Sequence, residues 1–240
     1  MKKLISLLCS LALAAAPAVA LADTNTSTTA TAAGPMVTAK ARADQEITRR
    51  VTSLSQAIEH ETAMKHLTDS EHSSLQKGLN DQITALTTLK GTIDAETNVA
   101  ALKTDLQSIT KGYRVYMLVL PQSRVVASAD RALSIMDLMQ TLGTKLQSRL
   151  SASTSTDMSA LQTAYADFQS KLADAGTQAN AAITGTASLA PDNGDATIAA
   201  SNAAALKTAR GQVEAATADL KAARADVKTI LQGLKVPGAN

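Results

Sequence analysis

The chain has 240 residues, of which 45% are hydrophobic and only 2% aromatic, with 11 glycines, 5 prolines and no tryptophan. A sandwich or barrel needs β-branched and aromatic strands separated by many turn residues, so this alanine-rich composition excludes such folds and favours helices. The scarcity of aromatic rings also argues against a surface that stacks nucleic-acid bases or sugars.

Residues 1–22 have the three parts of a secretory signal peptide. They carry the basic residues Lys2 and Lys3, a short apolar run, and the small-x-small sequence Ala20-Leu21-Ala22. The apolar run is short for a membrane anchor and no stop-transfer cluster follows it. We therefore predict cleavage and export to the periplasm, the cell envelope or the extracellular space.

Cleavage would change both the thiol content and the charge of the chain. Cys9, the only cysteine, lies within the leader, so the mature chain would have no disulfide, thiol nucleophile or thiolate metal site. The leader holds two of the 23 basic residues and none of the 21 acidic ones. The mature chain would therefore have 21 basic and 21 acidic residues and no net charge. A neutral mature chain has no net electrostatic attraction to nucleic acid or to an anionic membrane. No later segment reaches the ~18 consecutive apolar residues of a membrane span.

The first half of the mature chain predicts a linker and four helices. Residues 23–38 are rich in Thr, Ala and Ser without an apolar period, which predicts a disordered linker. A first helix over about 39–67 and a second helix should form an antiparallel hairpin, because a Thr68-x-x-Glu71 capping box begins the second helix immediately. A third helix begins near 99 and either ends at Gly112 or continues to Leu120. Pro121 is expected to open the fourth helix, where its missing N–H costs nothing.

The second half predicts two long alanine-rich helices after a polar linker at 151–156. In the last helix a seam of residues seven apart is flanked by alanines, whose small size lets two helices approach closely. The seam consists of Leu206, Val213, Leu220, Val227 and Leu234. The fold class is therefore all-α, an elongated up-and-down helical bundle with long coiled-coil-like antiparallel helices. We expect a helical bundle at 39–151, an antiparallel hairpin at 156–234 and a flexible tail at 235–240. The hairpin either folds back on the bundle or projects from it.

No common catalytic motif is present. The glycines form no phosphate loop, and no Gly-x-Ser-x-Gly sequence occurs. The segment Asp192-Asn193-Gly194-Asp195 lacks the spacing of a calcium loop and is expected to be a turn with Asp195 as a helix N-cap. We therefore predict no catalytic residues and no cofactor.

All three histidines, His60, His66 and His72, lie within thirteen residues at the predicted tip of the first hairpin. Acidic residues lie between them, and imidazole with carboxylate suits zinc, copper or nickel. A metal site formed by these histidines is therefore one hypothesis. A solvated hairpin tip is the alternative that the sequence favours, because His60-Glu61-Thr62-Ala63-Met64 lacks the second histidine of the His-Glu-x-x-His zinc motif.

A second cluster of unusual residues contains Tyr113, Arg114, Tyr116, Arg124 and Arg131. Tyrosines offer amphipathic contact area and arginines capture anions, so these five residues are candidates for a partner-binding or ligand-binding groove. The favoured alternative is a buried helix crossing in which Arg114 or Arg131 pairs with an acid.

Residues 45–135 resemble a group of uncharacterised exported bacterial proteins. These share long helices, a Tyr-Arg-Val/Ile-Tyr-x-Leu-x-x-Pro block, here Tyr113 to Pro121, and a following Ala-Asp-Arg, here Ala129-Asp130-Arg131. The resemblance implies a helical fold and an exported location, and it implies no activity.

The sequence thus favours an exported non-enzymatic protein with a structural or protein-interaction role in the cell envelope or outside the cell. Its partner would be another protein or a second copy, with no nucleic acid and no membrane span after leader cleavage. The alternative is an envelope protein that binds a metal or small ligand at the histidine tip or in the Tyr113–Arg131 region. An enzyme is disfavoured because no pair of nucleophile and base can be named.

Overall fold

The computed structural model describes residues 27–153 and 158–234, with side chains from residue 34 onward. Within these ranges every regular element is helical, which confirms the all-α class. The helices are α1 (Ser27–Thr62), α2 (Asp69–Ala95), α3 (Val99–Lys111), α4 (Leu120–Ser151), α5 (Met158–Thr184) and α6 (Ala196–Gly233), with a π-helical turn at Val115–Val119. The predicted signal peptide at 1–22 and the tail at 235–240 lie outside the described residues.

Helix α1 begins earlier than expected. The prediction of a disordered linker at 23–38 is wrong for residues 27–38, which are helical; residues 23–26 are outside the described part. The alanines of this segment favour helix, and Met36 and Ala39 pack against the apolar core of the hairpin. Packing therefore extends the helix across Pro35, a residue that usually breaks one. The helix also ends at Thr62 rather than 67, so residues 63–67 belong to the joint.

Local capping signals mark the starts of α2 and α6 and the end of α3. The Glu71 N–H donates to the Thr68 hydroxyl over 3.2 Å, and the Thr68 N–H donates to the Glu71 carboxylate over 2.8 Å, which confirms the capping box. Asp195 accepts hydrogen bonds from the second and third N–H groups of α6, which confirms it as an N-cap. Gly112 is the C-cap of α3, so that helix ends there and does not continue to Leu120.

The entry to α4 has a wider helical turn than expected. Arg114 adopts a left-handed backbone conformation with φ 47°, and the turn Val115–Val119 has π-helical hydrogen bonds, including one from the Leu120 N–H to the Val115 carbonyl. In a regular helix the ring of Pro121 would clash with the carbonyl four residues earlier, and the wider turn relieves this clash. Pro121 is therefore the second residue of α4, not the first.

Two apolar cores are built along the chain. The first core lies among α1, α2, α3 and the π-helical turn, and includes Ile47, Leu86 and Ile93. The second core lies among α4, α5 and α6, and includes Phe168. The division of the cores thus falls near the start of α4, not at the predicted boundary at 151–156, because most of the apolar stripe of α4 faces α5 and α6. The hairpin of α5 and α6 packs along α4 and does not project.

The predicted helix seam is a contact within the chain. Leu206, Leu220 and Val227 are buried, Val213 and Leu234 are half-buried, and the alanines between them are buried in the second core. Helix α5 runs antiparallel to both α4 and α6. Along α4, Met136 lies close to Gly176 and Gly143 lies close to Phe168. Along α6, Asp226 binds Lys171 and Gly233 lies close to Leu161. None of the helices in the described ranges combines the length and hydropathy needed to cross a membrane.

Glycine allows the closest approach of α4 to α5. A Cβ atom at Gly143 would lie 2.8 Å from Cε1 of Phe168, a fully buried ring. We predict that Gly143→Leu lowers the free energy of unfolding by more than about 2 kcal/mol, because overpacking a rigid core is destabilising. Gly211→Leu on α6 is the matched control, since nothing lies within 4 Å of its Cβ position. It should raise stability by about 0.5–1 kcal/mol through helix propensity. Urea denaturation measures both, and equal effects of the two substitutions would contradict this account of the crossing.

Candidate functional site

The structure does not bring the three histidines together as a metal site. His60 is exposed, the His66 Nε2 atom lies 3.1 Å from the Ser134 hydroxyl, and the His72 Nδ1 atom bonds the buried carboxylate of Glu61. These side chains have separate partners on different elements. No group of three or more His, Cys, Asp or Glu residues within the described ranges could hold a metal ion.

The residues of the predicted Tyr113–Arg131 site lie in separate places in the structure. The Tyr113 hydroxyl donates to the Ala85 carbonyl of α2 over 3.2 Å, and burial raises the pKa of this hydroxyl. The Tyr116 ring lies 5.1 Å and 5.0 Å from the guanidinium carbons of Arg49 and Arg50 on α1, within range of cation–π attraction. Each tyrosine therefore holds the π-helical turn against a different helix, and they form no shared groove.

Arg114 binds an acid within the chain, as the alternative interpretation expected. Its Nε atom donates to Asp192 Oδ2 over 2.8 Å and its Nη2 atom to Asp192 Oδ1 over 3.2 Å. The Gly194 N–H also donates to the same carboxylate over 2.8 Å. The Arg114 hydrogen bonds, followed by the Gly194 N–H, lower the pKa of Asp192 below its ordinary value. Arg114 therefore fixes the α5–α6 loop.

Asp130, in the middle of α4, holds the tip of the first hairpin. Its Oδ1 atom accepts hydrogen bonds from the Lys65 and His66 backbone N–H groups, each over 2.7 Å. Met64 and Leu67, on either side of this contact, are buried in the second core. The Ala129-Asp130-Arg131 block thus contains a residue that joins the first hairpin to α4.

Arg124 and Arg131 lie elsewhere, on an exposed face of α4. Arg131 borders an apolar groove of about 740 Å³ between α4 and α6. A shallower groove of about 310 Å³, bordered by Arg124, continues it through the shared residues Ser128 and Val213. We call the two together the α4/α6 groove. Its apolar wall on α4 consists of Ala132, Ile135, Leu138, Met139 and Leu142.

Cations border this groove with few acids near them. The charged lining residues are Arg124, Arg131, Arg210, Lys221 and Arg224, against the single acid Glu214. Within the described ranges none of these five cations takes part in a salt bridge. The groove therefore combines an apolar floor with a locally positive rim.

The sequence of α4 contains two apolar stripes, one that packs in the second core and one that lines this groove. Ile135, Leu138 and Leu142 follow one another at steps of three and four and form a second apolar stripe on α4. Ile135 and Leu138 are 41% and 73% exposed, whereas Leu142 is half-buried against the second core, so the rest of the fold leaves the first two uncovered. Periodicity alone cannot show which of two neighbouring stripes is buried.

No protein family, curated protein or solved structure matches this chain.

The loop contact predicts a dependence of stability on pH. The pKa of Asp192 is lower in the folded chain than in the unfolded chain. The ionised carboxylate therefore contributes fully to the free energy of unfolding above the unfolded pKa of about 3.9, and this contribution is lost as the pH falls through the lower folded value. Asp192→Asn should lower the free energy of unfolding at pH 7, because the charge-assisted hydrogen bonds from Arg114 would be replaced by weaker ones to a neutral amide. The difference in free energy of unfolding between this variant and wild type should decrease as the pH falls below about 4.

Asp195→Asn is the matched control in the same loop. It removes one negative charge and should change stability little, because Asn caps a helix about as well as Asp. Denaturation curves at a series of pH values measure both variants. A stability difference between Asp192→Asn and wild type that stays constant down to about pH 2 would contradict the role of the Arg114–Asp192 ion pair.

The hairpin-tip contact predicts a second stability effect. Asp130→Ala should lower the free energy of unfolding by about 2–3 kcal/mol, because it leaves two partly buried backbone N–H groups without their acceptor. Asp137→Ala, seven residues further along α4, should cost less than about 0.5 kcal/mol, because Asp137 is 55% exposed and lies 3.6 Å from His66. Urea denaturation of the two variants gives the comparison, and equal losses would refute the assignment.

Proposed function

We propose that this chain is an exported, non-enzymatic protein that binds an amphipathic helix of a partner protein in the α4/α6 groove. The partner helix has an apolar face and acidic flanks. The observation that carries the proposal is an exposed apolar stripe, centred on Leu138, between cations that have no acidic partner in the described structure. Large exposed apolar patches with a polar rim are typical of interaction sites.

The helix geometry supports a helical occupant. Residues Ser128 and Val213 lie at one end of the larger groove and Leu142 and Val227 at the other, so α4 and α6 run parallel. Helix α5 lies antiparallel to both, and a helix antiparallel to α4 would give a four-helix arrangement. The distance from Ser128 to Leu142 corresponds to about 21 Å of helix, enough for a segment of about 14 residues. Binding of an amphipathic helix in an apolar groove is a recurring mode of recognition.

The rim charges support an acidic partner over a second copy of this chain. In a symmetric dimer through this surface the cations of one groove would face those of the other, and like charges across an interface are unfavourable. Acidic flanks on the partner would instead pair with Arg131 and Arg224 across the rim.

Export is supported by the leader pattern at residues 1–22. The placement of the single cysteine in that leader suits an oxidising compartment, since the mature chain would have no thiol. The non-enzymatic role is supported by the absence of a known catalytic motif from the sequence.

A pair of designed peptides tests the proposal. Each is an amphipathic helix of about 18 residues with leucines on one face, and the flanks carry Glu in one peptide and Lys in the other. We expect the Glu peptide to bind at least tenfold more tightly at low salt, with the difference decreasing as salt is added. Fluorescence anisotropy of labelled peptides measures the dissociation constants. Equal binding of the two peptides would refute the charge argument.

Two variants locate the binding site. Leu138→Asp should weaken binding of the Glu peptide at least tenfold, since a charge would enter the apolar contact. Met117→Asp is the matched control, because Met117 is also 73% exposed but lies outside the groove. A Leu138→Asp variant that binds normally would refute the site. A concentration-dependent dimer in light scattering that Leu138→Asp dissociates would assign the groove to a second copy and overturn the proposal.

A further inference from the structure

A separate cavity of about 360 Å³ lies where the two cores meet. Helix α2, the start of α4 and the α5–α6 loop enclose it, and its apolar walls include Leu75, Leu79, Val126, Ile183 and Leu189. This volume is typical of a pocket for a small molecule, and such pockets are common at interfaces between packing units. None of its lining residues belongs to the α4/α6 groove.

One buried polar atom in the cavity wall lacks a hydrogen-bond partner among the described residues. The Oε1 atom of Gln82 is buried and accepts no hydrogen bond within the described structure. A buried acceptor without a donor is unfavourable, and nearly all such groups in folded proteins find one. Because no side-chain hydrogen bond fixes the amide, a rotation of the side chain can present Oε1 to a donor inside the cavity. An occupant with a hydroxyl group would supply that donor.

The charged groups of the wall restrict the class of occupant further. They are Glu71, which binds the Thr68 cap, and Asp81, which pairs with Lys77 on the outside of α2. No lysine, arginine or histidine lines the cavity. An anion would therefore meet two carboxylates and no compensating cation, which is unfavourable.

From this geometry we infer that the cavity is a binding site for an uncharged, largely apolar small molecule that carries one hydroxyl donor. The apolar walls bury its hydrocarbon part and Gln82 accepts its hydrogen bond. At the packing density of protein interiors the cavity holds about ten to fifteen non-hydrogen atoms. This site is independent of helix binding in the α4/α6 groove, so either can fail without the other.

Three naphthalene derivatives test the chemistry of the site. The first, 2-naphthol, is neutral at pH 7 and carries a donor; 2-methoxynaphthalene lacks the donor; and 2-naphthoate is an anion. Their fluorescence can be followed in this chain because it contains no tryptophan. We expect saturable binding of 2-naphthol, about tenfold weaker binding of 2-methoxynaphthalene, and still weaker binding of 2-naphthoate.

Gln82→Leu tests the hydrogen bond. It should reduce the preference for 2-naphthol over 2-methoxynaphthalene from about tenfold to less than about twofold. The variant also removes a buried unpaired acceptor, so its melting temperature should not fall. A melting temperature that is retained together with an unchanged preference would refute the role of Gln82.

Gly78→Leu tests the location. Gly78 lines the cavity, and a Cβ atom there would meet nothing within 4 Å, so a leucine can enter the space without a backbone clash. It should weaken binding of 2-naphthol at least tenfold. Gly91→Leu is the matched control on the same helix, with equally open surroundings and no contact with the cavity, and should bind normally.

Three outcomes would overturn the inference. The first is the absence of saturable 2-naphthol binding to the full chain. The second is equal or tighter binding of 2-methoxynaphthalene or 2-naphthoate. The third is a Gly78→Leu variant that melts and binds like wild type. Each is distinguishable from failure of helix binding, because Leu138→Asp should leave the naphthol titration unchanged.

Discussion

The rest of the structure depends on the packing of α4 into both apolar cores. Leu120, its first residue, is buried in the first core, while the stripe that follows is covered by α5 and α6. Two polar contacts hold this arrangement: Asp130 on α4 binds the tip of the first hairpin, and Arg114 before it binds Asp192 in the loop between α5 and α6. The chain therefore forms one connected fold, although its apolar core is divided. The cavity of about 360 Å³ is a consequence of this division, because the two cores meet around a space that neither fills.

The α4/α6 groove has its origin in the same packing. Helix α5 covers one side of both α4 and α6, which then run parallel and separate on their outer side. An α-helix has about 3.6 residues per turn, so a second apolar stripe beside the buried one lies at an angle to it and is only partly covered by the same core. Ile135 and Leu138 belong to that second stripe. An apolar stripe without a partner lowers solubility unless something covers it, so its presence is more easily explained by binding than by folding.

Local features of the fold could be predicted from the sequence, and long-range ones could not. The Thr68–Glu71 capping box and the Asp195 N-cap depend on residues three or fewer positions apart, so their patterns are readable directly. The partner of Arg114 lies 78 positions away and that of the His66 N–H 64 positions away. No local pattern specifies which of several acids will be chosen, because the choice is made by the packing of whole helices. The candidate site was therefore only partly predictable: two of its arginines were named, but the apolar stripe beside them was not.

The net charge of the mature chain differs from the local charge that lines the α4/α6 groove. A balance of 21 basic and 21 acidic residues after leader removal indicates no overall attraction to a charged partner. Salt screens charges over about 10 Å at 0.1 M, so a bound helix responds mainly to the charges bordering its own contact. Among the residues that line the α4/α6 groove these are five cations and one acid. A neutral chain can therefore bind an acidic segment selectively, because the charges that line the contact act on that segment more strongly than distant ones.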